Sequence, residues 1–205
     1  IGTYLILREY GYISHQKLED QYRLNDFELP GHLSKSINGL IYSSGSLGHG
    51  LAFAAGRSIG YGLKNISKKI VCVISDGETC EGSTYEAINL IGKKQLSNIL
   101  IILDNNKIAS CSFSKDITNI TAFKSFCHAN DFNVFDIDGH SFHEIKNFVS
   151  EWSQDINNKP TIVIANTVKG KGFKHLQGSP LWHVLPIDDD AYKNALNTKE
   201  FWLCN

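Results

Sequence analysis

Four short apolar runs, spaced so that a helical segment fits between each and the next, limit the possible folds of this chain more than any other feature. The runs are Ile70–Ser75, Ile99–Leu103, Asn133–Asp138 and Thr161–Ala165. Three of them are almost continuously apolar, the pattern of strands buried on both faces of a parallel sheet. Between them Ser83–Gln95, Thr121–Asn130 and Ser141–Ser153 carry helical patterning, and Ser83/Glu86 and Ser141/Glu144 each read as a capping box. Strands alternating with helices predict an α/β fold, three layers (α/β/α) around a mainly parallel sheet.

Upstream of the first run the pattern is different. Residues 2–22 read as helical, with Leu5, Ile6 and Tyr10 on one side and a second short helix starting near Ser14. Residues 25–47 are punctuated by Gly and Ser without sustained period, and a loop of that length is usually functional or disordered. His49–Leu63 is rich in small residues (Ala52, Ala54, Ala55, Gly56), which suits a tightly packed helix, and one more helix is expected at Asp188–Leu196.

At 205 residues, 42% hydrophobic and 20% charged, the chain suits one soluble globular domain over 1–205. A net charge of −1 gives no electrostatic case for nucleic acid or an anionic membrane, and no apolar stretch approaches a membrane span. Lys68-Lys69 and Lys93-Lys94 read as solvated edges. Five cysteines (Cys72, Cys80, Cys111, Cys127, Cys204) without a CxxC pair point to a reducing, cytoplasmic setting, with Cys72 acting as a small strand hydrophobe. The chain opens on Ile1 and contains no Met, so a preceding segment is expected to be missing.

In sheets of this kind ligands bind beyond the carboxyl ends of the strands. Polar clusters fall there: Asp76-Gly77, Asn105-Asn106, Asp138-Gly139-His140 and Thr167-Val168-Lys169-Gly170. Asp76 and Asn106 stand thirty positions apart, each after an apolar run. A carboxylate and a carboxamide brought side by side offer oxygen donors to a hard cation such as Mg2+. Gly77 lets the backbone approach what that cation carries, a diphosphate being the natural cargo. Gly45, Gly48 and Gly50 lead into the small-residue helix, whose free amides suit an anion or a closely stacked ring. Lys169-Gly170-Lys171-Gly172 lacks P-loop spacing, and no Gly-x-Gly-x-x-Gly follows a strand, which argues against a Rossmann nucleotide binder.

Ser75-Asp76-Gly77-Glu78 with Glu81-Gly82, followed by Asp104-Asn105-Asn106-Lys107-Ile108, is similar to the thiamine diphosphate motif. With Leu29-Pro30-Gly31-His32, Gly45-Ser46-Leu47-Gly48-His49-Gly50, Ile137-Asp138-Gly139-His140, Thr167–Gly172 and Trp182-His183, nearly the whole chain resembles the diphosphate-binding domain of transketolases, particularly the N-terminal subunit of split ones. Ser75 departs from the motif's first Gly, and His49 stands where many transketolases have Gln.

The resemblance implies a thiamine diphosphate-binding fold that takes thiamine diphosphate with Mg2+ or another divalent cation. The metal ligands would be Asp76, Asn106 and the Ile108 carbonyl. Gly45, Leu47, Gly48, Gly77, Glu78, Asn106, Ile108 and His183 would contact the cofactor. His32 and His183 would line the catalytic channel, while Glu81 would join a carboxylate network at a dimer interface. Thr167–Gly172 would be a loop closing over the cofactor, packed down by Trp182. His140 is sufficiently explained as part of a strand-end turn.

The implied reaction moves a two-carbon ketol unit from a ketose to an aldose, usually as phosphates. The family's pyrimidine-binding domain, whose glutamate activates the cofactor, has no counterpart here, nor do two further histidines upstream of Ile1. A partner subunit in a dimer or heterotetramer is therefore expected. Two rivals stand beside this reading. One is the α subunit of a 2-oxo acid dehydrogenase, against which Leu29–His32, Gly45–Gly50 and Trp182-His183 weigh. The other is a non-catalytic cofactor-binding or assembly module.

Overall fold

The computed structural model describes residues 1–24, 28–154, 158–174, 176–183 and 185–197, with only the backbone of residue 195. Part of the 25–47 loop and Cys204 lie outside the described residues. The chain forms two compact units, 1–47 and 48–205.

In the first unit, helix α1 (Gly2–Glu9) is followed by α2 (His15–Gln21), whose first turn is capped by Ser14 accepting from the Lys17 amide at 3.0 Å. Tyr4, Leu7, Ile13, Leu18, Leu29 and Ile37 make its core. The side that carries Leu5, Ile6 and Tyr10 is exposed, while Tyr4 and Leu7 are buried. The reason is the positions one turn apart that meet neighbours. Tyr4 stacks edge-on against Tyr22 and donates its hydroxyl to the Pro30 carbonyl at 2.8 Å.

The second unit holds a four-stranded, wholly parallel sheet in the order β1 (Ile70–Ser75), β2 (Ile99–Asn105), β6 (Thr161–Asn166), β5 (Asn133–Asp138). A two-residue hairpin, β3 (Ile108–Ala109) with β4 (Ser112–Phe113), follows β2. Helices α3 (Gly50–Leu63), α4 (Gly82–Lys94) and α5 (Ile120–Ala129) cover one face. Their side chains Leu51, Ala55, Ile88, Ile91, Phe123 and Cys127 pack on Ile74, Ile101, Leu103 and Ile162. On the other face α6 (Phe142–Ser153) sets Phe148 edge-on to Phe135 of β5. Lys69, expected to be merely solvated, donates to the carbonyls of Trp152 and Ser153 at the end of α6. Val71 and Val73 on that same face of the edge strand β1 stay exposed, at 54% and 66%. A last helix, α7, covers Asp189–Asn197.

Neither expected capping box closes as a reciprocal pair. Ser83 donates its hydroxyl to the Gly48 carbonyl at 3.2 Å and does not cap α4, which starts at Gly82 without a side-chain cap. The Ser-x-x-Glu geometry forms instead at the 3-10 helix before it, where Glu78 Oε2 accepts from the Ser75 amide at 2.9 Å. Ser141 does cap α6, and Glu144 reaches the Asp138 amide at 2.8 Å.

Candidate functional site

The parallel register pairs Ser75 with Asp104 and Asn105 with Asn166, so the polar tips of β1, β2 and β6 emerge at one sheet edge. From β1 the chain enters a tight 3-10 turn, Asp76–Cys80. From β2 it passes Asn106 and Lys107 into the β3–β4 hairpin. These two segments touch: a Cβ on Gly77 would lie 3.3 Å from that of Ala109. Asp76 and the Asn106–Ile108 segment are thus neighbours, as the spacing predicts.

Asp76 is fully buried, and neither carboxylate oxygen has a hydrogen-bond partner. Burial pushes its carboxyl pKa upward, and the charge of Asp104 adds to this. The Ser114 hydroxyl and the Lys107 and Gly77 amides pull the other way. All three act as hydrogen-bond donors toward the carboxylate, though none meets full hydrogen-bond geometry on either oxygen. A buried, unpaired carboxylate is costly unless a counter-charge fills the space beside it.

Asn106 donates through Nδ2 to Asp104 Oδ2 at 2.9 Å, and its Oδ1 accepts from the Ile108 amide at 3.0 Å. That oxygen keeps a second lone pair. Among the described residues no three His, Cys, Asp or Glu side chains gather as metal ligands. The oxygen donors the structure brings together there are instead a carboxylate and a carboxamide, the kind of donor Mg2+ takes. An orphaned buried carboxylate among them means these residues fit that ion. Next to them opens a cavity of about 620 Å3, whose lining includes Asn106, Ile108, Ser114, Lys115, Thr167 and Val168.

The other expected site residues divide between the units. His32, Gly45 and Leu47 belong to the first, where the His32 ring lies 3.5 Å from a Cβ built on Gly45 and Leu47 is 52% exposed. In the second, the Gly48 amide is not free for an anion, because it donates to Glu78 Oε1 at 3.1 Å. Glu78, expected to contact the cofactor, therefore has one oxygen on Gly48 and the other on Ser75. Glu81 is half-buried against Gly48, whose added Cβ would meet the Glu81 Cβ at 2.7 Å. His183 ends a short turn, Pro180–His183, with Nδ1 3.3 Å from Lys169 Nζ.

The described residues after Thr167 fold back, Gly178 donating to the Lys169 carbonyl at 3.0 Å. His140 does more than shape its own turn, since Nε2 accepts from the Val168 amide at 2.8 Å and so holds the start of this loop. Sequence reasoning passed over Asp104 and Thr167 as individuals. Their signal was a polar residue at the end of each of two adjoining strands.

Fold and site together define a parallel α/β domain that gathers a buried carboxylate and a carboxamide at its strand tips. The model of the family described as "Transketolase, thiamine diphosphate binding domain" matches residues 2–202, and the chain belongs to this family. It is accordingly a thiamine diphosphate binding domain of that family, and it spans 26% of the bovine transketolase-like protein 2 to which it is 31% identical.

One of the subunits of the apulose-4-phosphate transketolase of Actinobacillus succinogenes is 36% identical over 196 residues, covering 95% of this chain and 70% of that protein. The 6-deoxy-6-sulfo-D-fructose transketolase subunit of a Clostridium species is 28% identical, with 82% of this chain and 61% of that one covered. Among solved structures, the transketolase of Campylobacter jejuni superposes with a TM-score of 0.80 at 30% identity. That match covers 88% of this chain and 29% of the Campylobacter enzyme.

Proposed function

We propose that this chain supplies the metal and diphosphate half of a thiamine diphosphate site in a two-component transketolase. The reaction is transfer of a two-carbon ketol unit from a ketose, or its phosphate, to an aldose or its phosphate. The observation that carries the reading is Asp76: a carboxylate with no exposed surface and no hydrogen-bond partner, beside Asn106 and Ile108. Asp76, the Asn106 side-chain oxygen and the Ile108 carbonyl would hold Mg2+, and the Gly77 amide would donate to the diphosphate. When bound, thiamine diphosphate supplies a carbanion that carries the ketol fragment.

The protein's part is to fix groups in place. Gly45, Leu47 and Gly48 lie along the cofactor, with Glu78 holding the Gly48 turn. His32 and His183 offer imidazoles that hydrogen-bond or pass protons at substrate and phosphate oxygens. The relatives named as subunits support a separate pyrimidine-binding partner, which brings the activating glutamate, and Glu81 faces it in a dimer or heterotetramer. Sugar phosphates are the substrates, and the compartment is the cytoplasm. Among the described residues no helix is long and apolar enough to cross a membrane.

Calorimetry of thiamine diphosphate binding, with and without Mg2+ and with candidate partner chains, tests this. Mg2+-dependent binding, with ketol transfer appearing only on mixing, is the expected result. Full activity of the chain alone, or turnover of a 2-oxo acid and no ketose, overturns it.

A further inference from the structure

We propose that Asp104 is a positioning residue for the metal ligand Asn106, deciding which end of that carboxamide faces the cation and tying it to the loop after β6. The inference rests on the metal-site reading above and deepens it.

A carboxamide has a donor end and an acceptor end of nearly the same shape, and only the oxygen binds a hard cation. Left alone, Asn106 could turn either end toward Asp76. Asp104 removes that choice, because a carboxylate only accepts, and Asn106 Nδ2 donates to its Oδ2 at 2.9 Å. The Ile108 amide completes the selection, being a donor that only an oxygen can meet, at 3.0 Å from Asn106 Oδ1. The two contacts agree on one orientation.

Asp104 is itself held. Its Oδ1 accepts from the Thr167 hydroxyl, and the Thr167 amide donates to the Asn105 carbonyl at 3.3 Å. Both oxygens of Asp104 are thereby occupied by protein donors, whereas neither oxygen of Asp76 is met by one in full hydrogen-bond geometry. Of two carboxylates at the same strand tips, one is left for the ion and the other orients its neighbour. Asn105 does not compete, since its Nδ2 donates sideways to Asn166 Oδ1 at 2.9 Å. The same Thr167 begins the loop whose next residue, Val168, is held by His140. Displacement of that loop therefore reaches the metal ligand through one hydroxyl and one carboxylate.

The test uses the full chain with its partner where one is required, and compares the parent with Asp104→Asn and Thr167→Val. Mn2+ is titrated in the presence of thiamine diphosphate and followed by electron paramagnetic resonance. Thermal melting and the side-chain amide NMR signals of Asn106 are recorded on each metal-free protein. Outer contacts of a metal ligand typically change affinity by about 10–100-fold. Asp104→Asn should weaken Mn2+ binding by about tenfold or more, and Thr167→Val by a smaller factor. The Asn106 amide signals should move in both variants while the melting temperature stays close to the parent's. Equal Mn2+ affinity in parent and Asp104→Asn overturns the inference alone. A parent that takes up no Mn2+ with thiamine diphosphate overturns the functional reading as well. If Asp104→Asn does not fold, Thr167→Val decides, and unchanged affinity there counts against the proposal.

Discussion

The main-chain amide of Gly48 donates to a carboxylate oxygen of Glu78 at 3.1 Å, so a side chain thirty residues downstream holds the turn that precedes helix α3. The second oxygen of Glu78 takes the Ser75 amide at 2.9 Å, which fixes the end of β1 with the same group. Hydrogen bonds to a charged partner contribute about 1.5–3 kcal/mol each when well made. Glu78→Ala should therefore destabilise the chain by about 2–4 kcal/mol, the sum of two such bonds reduced for partial exposure. Glu78→Gln keeps one acceptor and should lose less. Urea unfolding of the two variants gives the ordering, and thiamine diphosphate affinity should fall in the same order.

Asp76 predicts the opposite sign. Replacing a buried carboxylate that has no partner by a neutral isostere removes a desolvation cost of about 1–3 kcal/mol. Asp76→Asn should accordingly melt higher than the parent in the absence of metal, and should lose Mg2+-dependent cofactor binding. Calorimetric melting with chelator and cofactor titration with Mg2+ check the two halves separately.

The same carboxyl makes the metal-free chain pH-dependent. Its folded pKa is raised, chiefly by burial, so the folded state keeps a proton that the unfolded state gives up. Stability due to Asp76 is then greatest below the ordinary carboxylate pKa and is lost as the pH rises through the raised folded value. Melting curves in that window should show a fall in the parent that is missing in Asp76→Asn.

Gly48 has a φ of +79°, and a Cβ there would lie 2.6 Å from Ser83 Oγ and 2.7 Å from Glu81 Cβ. Gly48→Ala should cost at least about 1–3 kcal/mol through backbone strain alone, with cofactor affinity reduced. Gly82→Ala, where nothing lies within 4 Å, serves as the comparison.

Cysteine labelling should separate two pairs. Burial pushes the thiols of Cys72 and Cys127 up to about 12, Glu78 adding to the shift at Cys72. Cys80 and Cys111 are exposed. A thiol reagent at neutral pH should mark the exposed pair first in the native chain, react more slowly with half-buried Cys72, and reach buried Cys127 only on unfolding, as peptide mass mapping can show. Because both shifts are upward, stability from these thiols is lost as the pH climbs from the ordinary thiol range toward 12.

The strands were legible in the sequence because their apolar runs are long enough to declare themselves; Ile70–Ser75 and Asn133–Asp138 match to the residue. The β3–β4 hairpin was not, since two-residue strands carry no period, and its turn rests on Ser110 at a φ of +55°. The box at Ser83 and Glu86 failed because a rival acceptor, the Gly48 carbonyl, draws the Ser83 hydroxyl away. At the site, Asp76 and Asn106 could be read from strand-end spacing. The roles of Asp104, Thr167 and His140 depend on which strand lies beside which, and β6 sits next to β2 only in three dimensions. On α1 the helix was legible, but helical period alone does not say which stripe finds a partner.

Strand β1 lies at the margin of the sheet with Val71 and Val73 uncovered. Such a border offers both unpaired backbone groups and apolar side chains to any similar strand it meets. Purified at high concentration, this protein should tend to clump through that border. A charged residue in place of Val73 would then improve handling while leaving the strand tips, where the chemistry lies, unaltered.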